Sequence, residues 1–267
     1  MIFMLTDMHN HTYASFDGKQ SVADVCVAAE KAGVGIIAVA EHFDCDARGG
    51  MEHFPKHFEQ WLRDTEKAKR EYNGRVQLLR GVEVGQPHVF LKEARQIINA
   101  ADYDVIIGSL HDVSGGRDIY FMNIDDVDAF FEEYFTEMLQ MIGTRVFDIL
   151  GHIDYPVRVL KEKLNGDPSL KRWESLITPC LKALIDNGIA LEFSTVLSRC
   201  WAETFGIEPW LLEKYKKLGG EMVTLGSDGH VPELTCFGIE KASRVLKDCG
   251  FDKTTVFVDR KPQFILI

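Results

Sequence analysis

The sequence predicts an α/β fold in which seven parallel strands close into a TIM-like β/α barrel, in a single domain spanning residues 1–267. Three observations carry this expectation. Seven short apolar runs alternate with helical segments along the chain, the pattern of a parallel sheet. The Gly-x-Gly-x-x-Gly fingerprint of an open dinucleotide-binding sheet is missing. Each apolar run is followed by polar residues, and a barrel gathers its chemistry at the C-terminal ends of its strands.

Taken in order, residues 2–8 form the first strand candidate. Ser21 and Asp24 make a capping-box pattern before a helix over residues 22–32, and Gly33 suits the left-handed stop behind it. Residues 35–41 are the second strand, and residues 56–72 read as a charged surface helix ending at Asn73-Gly74. Residues 76–84 and 104–110 are the third and fourth strands. Asp125 or Asp126 then caps a long helix running through Ile142. On it Phe130, Phe131, Tyr134, Phe135 and Met138 recur at helical spacing, which is the signature of core packing. Residues 147–151 and 189–193 are the fifth and sixth strands. Pro209 suits the first turn of a helix over residues 210–218, and residues 222–226 complete the set.

Composition narrows the function. With 46% hydrophobic and 27% charged residues, the chain is globular, neither disordered nor membrane-embedded. No apolar run approaches the roughly 20 residues that span a bilayer. The N-terminus has no basic start or cleavage-site pattern, so a cytoplasmic location is expected. A formal charge of −11 argues against nucleic acid as a partner. The six cysteines are scattered without a CxxC pair and read as reduced thiols. Oligomeric state has no signature in the sequence.

The polar residues at the strand ends carry the chemistry. They are Asp7 to His11 after the first strand, Glu41-His42 after the second, and Glu83 with His88 after the third. His111-Asp112 follow the fourth, His152 and Asp154 the fifth, and Asp228-Gly229-His230 the seventh. Six of the nine histidines, namely His9, His11, His42, His111, His152 and His230, thus fall where a barrel would collect them. In His9-x-His11 and Asp228-x-His230 the spacing of two puts both side chains on one face of an extended segment, within reach of one ion. Imidazoles mixed with carboxylates suit Zn²⁺, Mn²⁺ or Fe²⁺. Glu83 can bridge two such ions. His53 and His57 show no partner pattern and are expected on the solvated surface.

Together the segments DMHNHTYASFDG (residues 7–18), AEHFD (40–44), GVEVG (81–85), GSLHDV (108–113), LGHIDYPVR (150–158) and LGSDGH (225–230) resemble the polymerase-and-histidinol-phosphatase (PHP) family, and within it the histidinol-phosphatase branch. The resemblance implies a distorted seven-stranded barrel. It also implies two or three divalent cations (Zn, Mn or Fe) held by His9, His11, Asp17, His42, Glu83, His111, His152, Asp228 and His230. Read alone, Asp17 before Gly18 would be a turn residue. Arg158 and Arg199, on loops that a barrel holds over its mouth, are similar to arginines that grip phosphate in this branch, and guanidinium forks suit phosphate oxygens. Gln86 and His88 are placed to meet the organic part of the substrate, and Ser194 to donate a hydrogen bond to it. Ser194-Thr195 stand where family members often carry Asn-Thr, and Leu197 where glycine is common. That departure bears on the leaving group rather than on the reaction.

The implied function is a phosphoric monoester hydrolase for a small phosphate ester, foremost L-histidinol phosphate in histidine biosynthesis. Its nucleophile would be a metal-bound hydroxide rather than a side chain. Asp17, His230 or a metal-bound water would protonate the departing alkoxide, while Arg158 and Arg199 stabilise the phosphoryl charge. Three alternatives remain at this stage. One is a phosphatase of the same family for another small phosphomonoester or nucleotide. Another is an amidohydrolase-type barrel, which would show eight strands and a lysine ligand near the fourth. The last is a catalytically silent metal-binding module.

Overall fold

The computed structural model describes residues 4–44, 50–113, 116–160, 164, 167, 169–197 and 207–267. Seven parallel strands form one sheet: β1 (Leu5–Asp7), β2 (Val34–Asp44), β3 (Gln77–Gly85), β4 (Val105–Ser109), β7 (Ile149–Leu150), β8 (Ala190–Ser194) and β9 (Val223–Gly226), neighbours in that order. All seven expected strands are present, shifted only at their ends. The ladder is uneven. β2 and β3 pair from Ile36↔Gln77 to Asp44↔Gly85, whereas β4–β7 and β7–β8 each keep two register pairs.

The sheet closes beyond the ends of β1 and β9. Met8 N donates to Leu225 O (2.7 Å), Asp228 N to His9 O (2.8 Å) and His11 N to Gly229 O (2.9 Å). These bonds draw the two ligand-bearing segments, Asp7 to His11 and Ser227 to His230, side by side. Asp7 reinforces the seam by accepting from Ser227 N (2.9 Å) and Ser227 Oγ (2.6 Å).

Period-two alternation sorts the barrel interior into two zones. Ile36, Ala38, Ala40, Leu79, Val105, Ile107, Ile149 and Ala190 fill the lower interior as one apolar cluster. Farther along the same faces stand His42 and Asp44 on β2, Glu83 on β3 and Glu192 on β8, all buried. The lower zone is sealed by a C-terminal antiparallel hairpin, β10 (Lys253–Val258) with β11 (Lys261–Leu266), whose Val256 and Phe257 join the apolar cluster. The sequence reading did not include this hairpin. It also missed a two-stranded hairpin at the other end, β5 (Asp112–Val113) with β6 (Arg117–Asp118).

Seven described helices surround the sheet: α1 (Val22–Ala32), α2 (Gly50–Glu71), α3 (Leu91–Ile98), α4 (Val127–Gly143), α5 (Glu174–Asn187), α6 (Pro209–Lys217) and α7 (Ile239–Asp248). The capping box at Ser21 and the left-handed Gly33 (φ 69°) bound α1 as expected. Asp126, not Asp125, caps α4 through Ala129 N (3.0 Å), and the five α4 aromatic and methionine side chains named above are buried. Helix α2 departs from its reading as a surface helix. Phe54, Trp61 and Thr65 are wholly buried, because apolar positions three and four apart form a stripe against the sheet while the charges face outward. His53 and His57 are half-buried beside Tyr13, with His53 Nε2 3.2 Å from Tyr13 O, rather than solvated. Cys26, Cys180, Cys236 and Cys249 are buried free thiols, while Cys45 and Cys200 lie outside the described residues. Among the described residues no helix is long and apolar enough to cross a membrane.

Candidate metal centre

The upper zone converges on Glu83, fully buried at the barrel centre. Its Oε2 lies 3.4 Å from His9 Nε2, 3.5 Å from His11 Nε2 and 2.7 Å from His42 Nδ1. Its Oε1 lies 3.3 Å from His111 Nε2 and 3.0 Å from His152 Nε2, and accepts from Ser109 Oγ at 2.6 Å. Asp228 Oδ1 stands 3.1 Å from His11 Nε2. Toward solvent, Asp17 Oδ2 is 3.3 Å from His230 Nε2 and its Oδ1 is 3.7 Å from His42 Nε2. All nine residues expected as ligands therefore meet in one place. His11 stacks on His42 and His230 with ring centroids 4.1 and 4.2 Å apart, so their nitrogens face the same space.

The nest fits cations better than it fits itself. His9 Nε2, His11 Nε2, His42 Nδ1 and Glu83 Oε2 are buried and make no hydrogen bond in spite of their crowding, a costly condition unless a ligand satisfies them. Four overlapping triads have donor atoms within 4.8 Å of one another: His9–His11–Asp228, His9–Glu83–His152, His42–Glu83–His111 and His11–His42–His230. Because they share Glu83, His9, His11 and His42, they describe two or three adjoining sites. Imidazole with carboxylate is the donor set of Zn²⁺, Mn²⁺ or Fe²⁺. Burial pushes the Glu83 carboxyl up, but His9, His42 and His111 around it outweigh that and hold it well below the usual carboxylate range. Glu83 is thus ionised and ready to bridge.

Surrounding groups fix four of the imidazoles, those of His9, His11, His111 and His230, so that Nε2 points inward. His9 Nδ1 pairs with Glu192 Oε1 (2.7 Å), His111 Nδ1 with Asp44 Oδ1 (2.7 Å), and His230 Nδ1 with its neighbour's carbonyl, Asp228 O (2.9 Å). His11 Nδ1 meets Ser15 Oγ (3.1 Å), which itself donates to Glu41 Oε2 (2.6 Å). Such partners set the tautomer and raise the basicity of a ligating histidine. Sequence reading missed Glu192, Asp44 and Ser15. Glu192 left a trace, a charged residue inside the buried strand Ala190–Ser194. Asp228 holds its carboxylate in the nest from a left-handed backbone (φ 50°), a conformation that aspartate tolerates better than most residues.

The cavity above the nest has a volume of about 840 Å³. Arg158 reaches it from the 3-10 turn Tyr155–Arg158, its guanidinium 3.9 Å over the Tyr155 ring and its Nη1 3.5 Å from Asp228 Oδ2. Three expectations about the substrate side change. His88 lies in a separate cavity beside α4, its Nε2 3.3 Å from Glu137, because the chain turns away from the mouth after Gln86. Gln86 is buried and accepts from His111 N (2.9 Å), so it supports a ligand instead of the substrate. Ser194 is buried and accepts from Val196 N (3.4 Å), and it does not line the cavity. Arg199 lies outside the described residues.

Two outcomes follow from this geometry. Chelator-stripped protein should gain about 2.7 kcal/mol when Zn²⁺ is restored at roughly 100 times its Kd, seen as a higher melting temperature. A melt indifferent to added metal would count against the nest. Gly226 leaves room for the His9–Glu192 pair: a Cβ there would sit 2.8 Å from His9 Cβ and nearer still to Glu192 Oε1. Gly226→Ala should cost about 1–3 kcal/mol and weaken metal retention. Wild-type stability and metal content in that variant would show the contact to be slack.

Comparison with known proteins places these features in context. A family model described as PHP domain matches residues 7–196. The chain is 29% identical to the "Probable histidinol-phosphatase" of Clostridium acetobutylicum, over 92% of this chain and 94% of that one. It is 27% identical to the histidinol-phosphatase of Lactococcus lactis, over 96% and 95%. Its fold is similar to the crystal structure of a Lactococcus lactis histidinol phosphate phosphatase in complex with zinc, L-histidinol and phosphate. That match has a TM-score of 0.77 at 25% identity and covers 97% of this chain and 98% of the other.

Proposed function

This chain belongs to the PHP domain family, and on that premise we propose that it is a metal-dependent phosphomonoesterase that hydrolyses L-histidinol phosphate to L-histidinol and inorganic phosphate, a step of histidine biosynthesis. The observation that carries the reading is the gathering of nine histidine and carboxylate side chains at the mouth of this barrel, eight of them in overlapping triads and Asp17 beside His42 and His230. It is supported by the whole-chain likeness to an enzyme solved with zinc, histidinol and phosphate. An amidohydrolase reading is not favoured, since among the described residues the sheet has seven strands, and Ser109-Leu110-His111 stand where a lysine ligand would be expected.

In this reading His9, His11, Glu83, His111, His152, His42, Asp228, Asp17 and His230 hold two or three divalent cations. When bound, these supply an ionised water at neutral pH and neutralise phosphoryl oxygens. The chain does the rest. Arg158, braced on Tyr155 and tied to Asp228, presents its fork to the phosphate and stabilises charge developing in the transition state. Asp17 and His230 face each other at the outer edge of the nest, where the alcohol departs, and the single proton it takes up would come from a water held there or through one of these two side chains. Glu192 and Asp44 keep His9 and His111 in the ligating tautomer.

The test is phosphate release from L-histidinol phosphate by protein loaded with Zn²⁺ or Mn²⁺, beside a panel of other phosphomonoesters and nucleotides. Histidinol phosphate should give the highest kcat/KM. Preference for a nucleotide or a sugar phosphate would overturn the substrate, and silence toward every ester would overturn the activity.

A further inference from the structure

The ligand nest and Arg158 account for the phosphate end of the cavity but not for the wall made by the β5–β6 hairpin and the turn after it. Asp112 and Asp118 are register partners across that hairpin. Their side chains therefore leave the same face, and both line the cavity. Asp118 also caps the 3-10 turn Ile119–Phe121, accepting from Tyr120 N at 2.8 Å, which fixes the backbone that carries two aromatic side chains beside the carboxylates. Tyr120 and Phe121 touch edge to face at 5.1 Å. They are 61% and 79% exposed, yet both line the same cavity. Phe16, 48% exposed and stacked on His42 at 5.2 Å, brings a third ring to the rim.

Large aromatic surface left in water beside a catalytic cluster marks a place that a ligand covers. Carboxylates set among such rings favour a cation, through charge-assisted hydrogen bonds and through the ring faces. Phosphate needs neither feature, so both belong to the alcohol portion of the ester.

We propose that the β5–β6 hairpin and its turn select the leaving group: Asp112 and Asp118 receive a cationic amino group, while Tyr120 and Phe121 cover a small aromatic ring. The inference rests on the phosphatase reading above and adds to it the side chains that recognise the alcohol portion of the ester, its cationic amino group and its aromatic ring. Histidinol phosphate has all three parts. The hairpin is then the specificity element of an enzyme whose hydrolytic machinery lies elsewhere in the cavity.

The experiment compares three esters on metal-loaded protein: L-histidinol phosphate (cation and ring), phenyl phosphate (ring alone) and glycerol 3-phosphate (neither). Asp118→Asn keeps an oxygen that can cap the turn and removes the charge. It should lower the kcat/KM ratio of histidinol phosphate to phenyl phosphate by about tenfold or more, mainly through KM. The double variant Tyr120→Ala, Phe121→Ala should lower the ratio of phenyl phosphate to glycerol 3-phosphate. Metal content and melting temperature identify any variant that has lost its fold, and in that event the three-ester comparison on the wild type decides. Ratios within twofold of wild type in folded variants would overturn the inference. So would a change in oligomeric mass of the double variant without a change in ratio, which would make the rings a subunit contact. A wild type that cleaves all three esters equally also overturns it, while the phosphatase reading stands. A wild type that cleaves none removes that reading and the inference together.

Discussion

Glu83→Gln is expected to lower turnover of L-histidinol phosphate by about 10⁴-fold or more, roughly 5 kcal/mol of barrier, while the barrel still folds. Glutamine has nearly the same shape and can still accept from Ser109 Oγ, so packing at the barrel centre is preserved. What disappears is the charge facing five imidazoles: His9, His11 and His42 at one oxygen, His111 and His152 at the other. No neighbouring side chain can replace a carboxylate whose two oxygens serve two groups of ligands. Metal analysis should show at least one cation lost per chain relative to wild type, and His9→Ala should behave alike because His9 belongs to two of the triads. Circular dichroism and a thermal melt report whether the fold persists. A folded Glu83→Gln protein with wild-type metal content and near-wild-type turnover would mean that Glu83 bridges nothing.

Much of this centre was legible in the sequence because a parallel barrel turns one-dimensional pattern into place. Apolar runs locate the strands, and a histidine or carboxylate just past each run must lie at one mouth. His9, His42, Glu83, His111, His152 and Asp228 were found in that way. Partners across the barrel were not, since nothing in sequence links Asp44 to His111, 67 positions away, or Glu192 to His9, 183 positions away. Each looks like an ordinary polar residue until the strands are set side by side. The reverse error befell His88. Its place just after Glu83 suggested the mouth, but a loop is free to leave the barrel in any direction, and this one packs against α4. The β5–β6 hairpin escaped because two-residue strands carry no periodicity. The C-terminal hairpin escaped because residues 254–257 are buried without a break, so its first strand shows no period-two pattern.

Arg158→Ala is expected to lower kcat/KM by about 10²–10³-fold with metal content retained, the cost typical of removing one donor from a developing oxyanion. Arg158 differs from the ligands in being partly open, with its side chain 21% exposed, and in lining the cavity above the nest. Tyr155 supports the guanidinium plane at 3.9 Å, and Asp228 takes one Nη at 3.5 Å, long for an ion pair and readily exchanged for a phosphate oxygen. Arg158→Lys separates charge from geometry. An ammonium keeps the positive charge but not the two parallel N–H donors, so lysine should recover only part of the loss. Inorganic phosphate, as a competitive inhibitor, isolates binding from turnover, and its inhibition constant should rise in both variants, more in the alanine form. Full activity in Arg158→Lys would reduce the residue to a source of positive potential. Unaltered inhibition by phosphate in Arg158→Ala would remove it from the phosphate site, leaving the arginine as a brace for Asp228 alone.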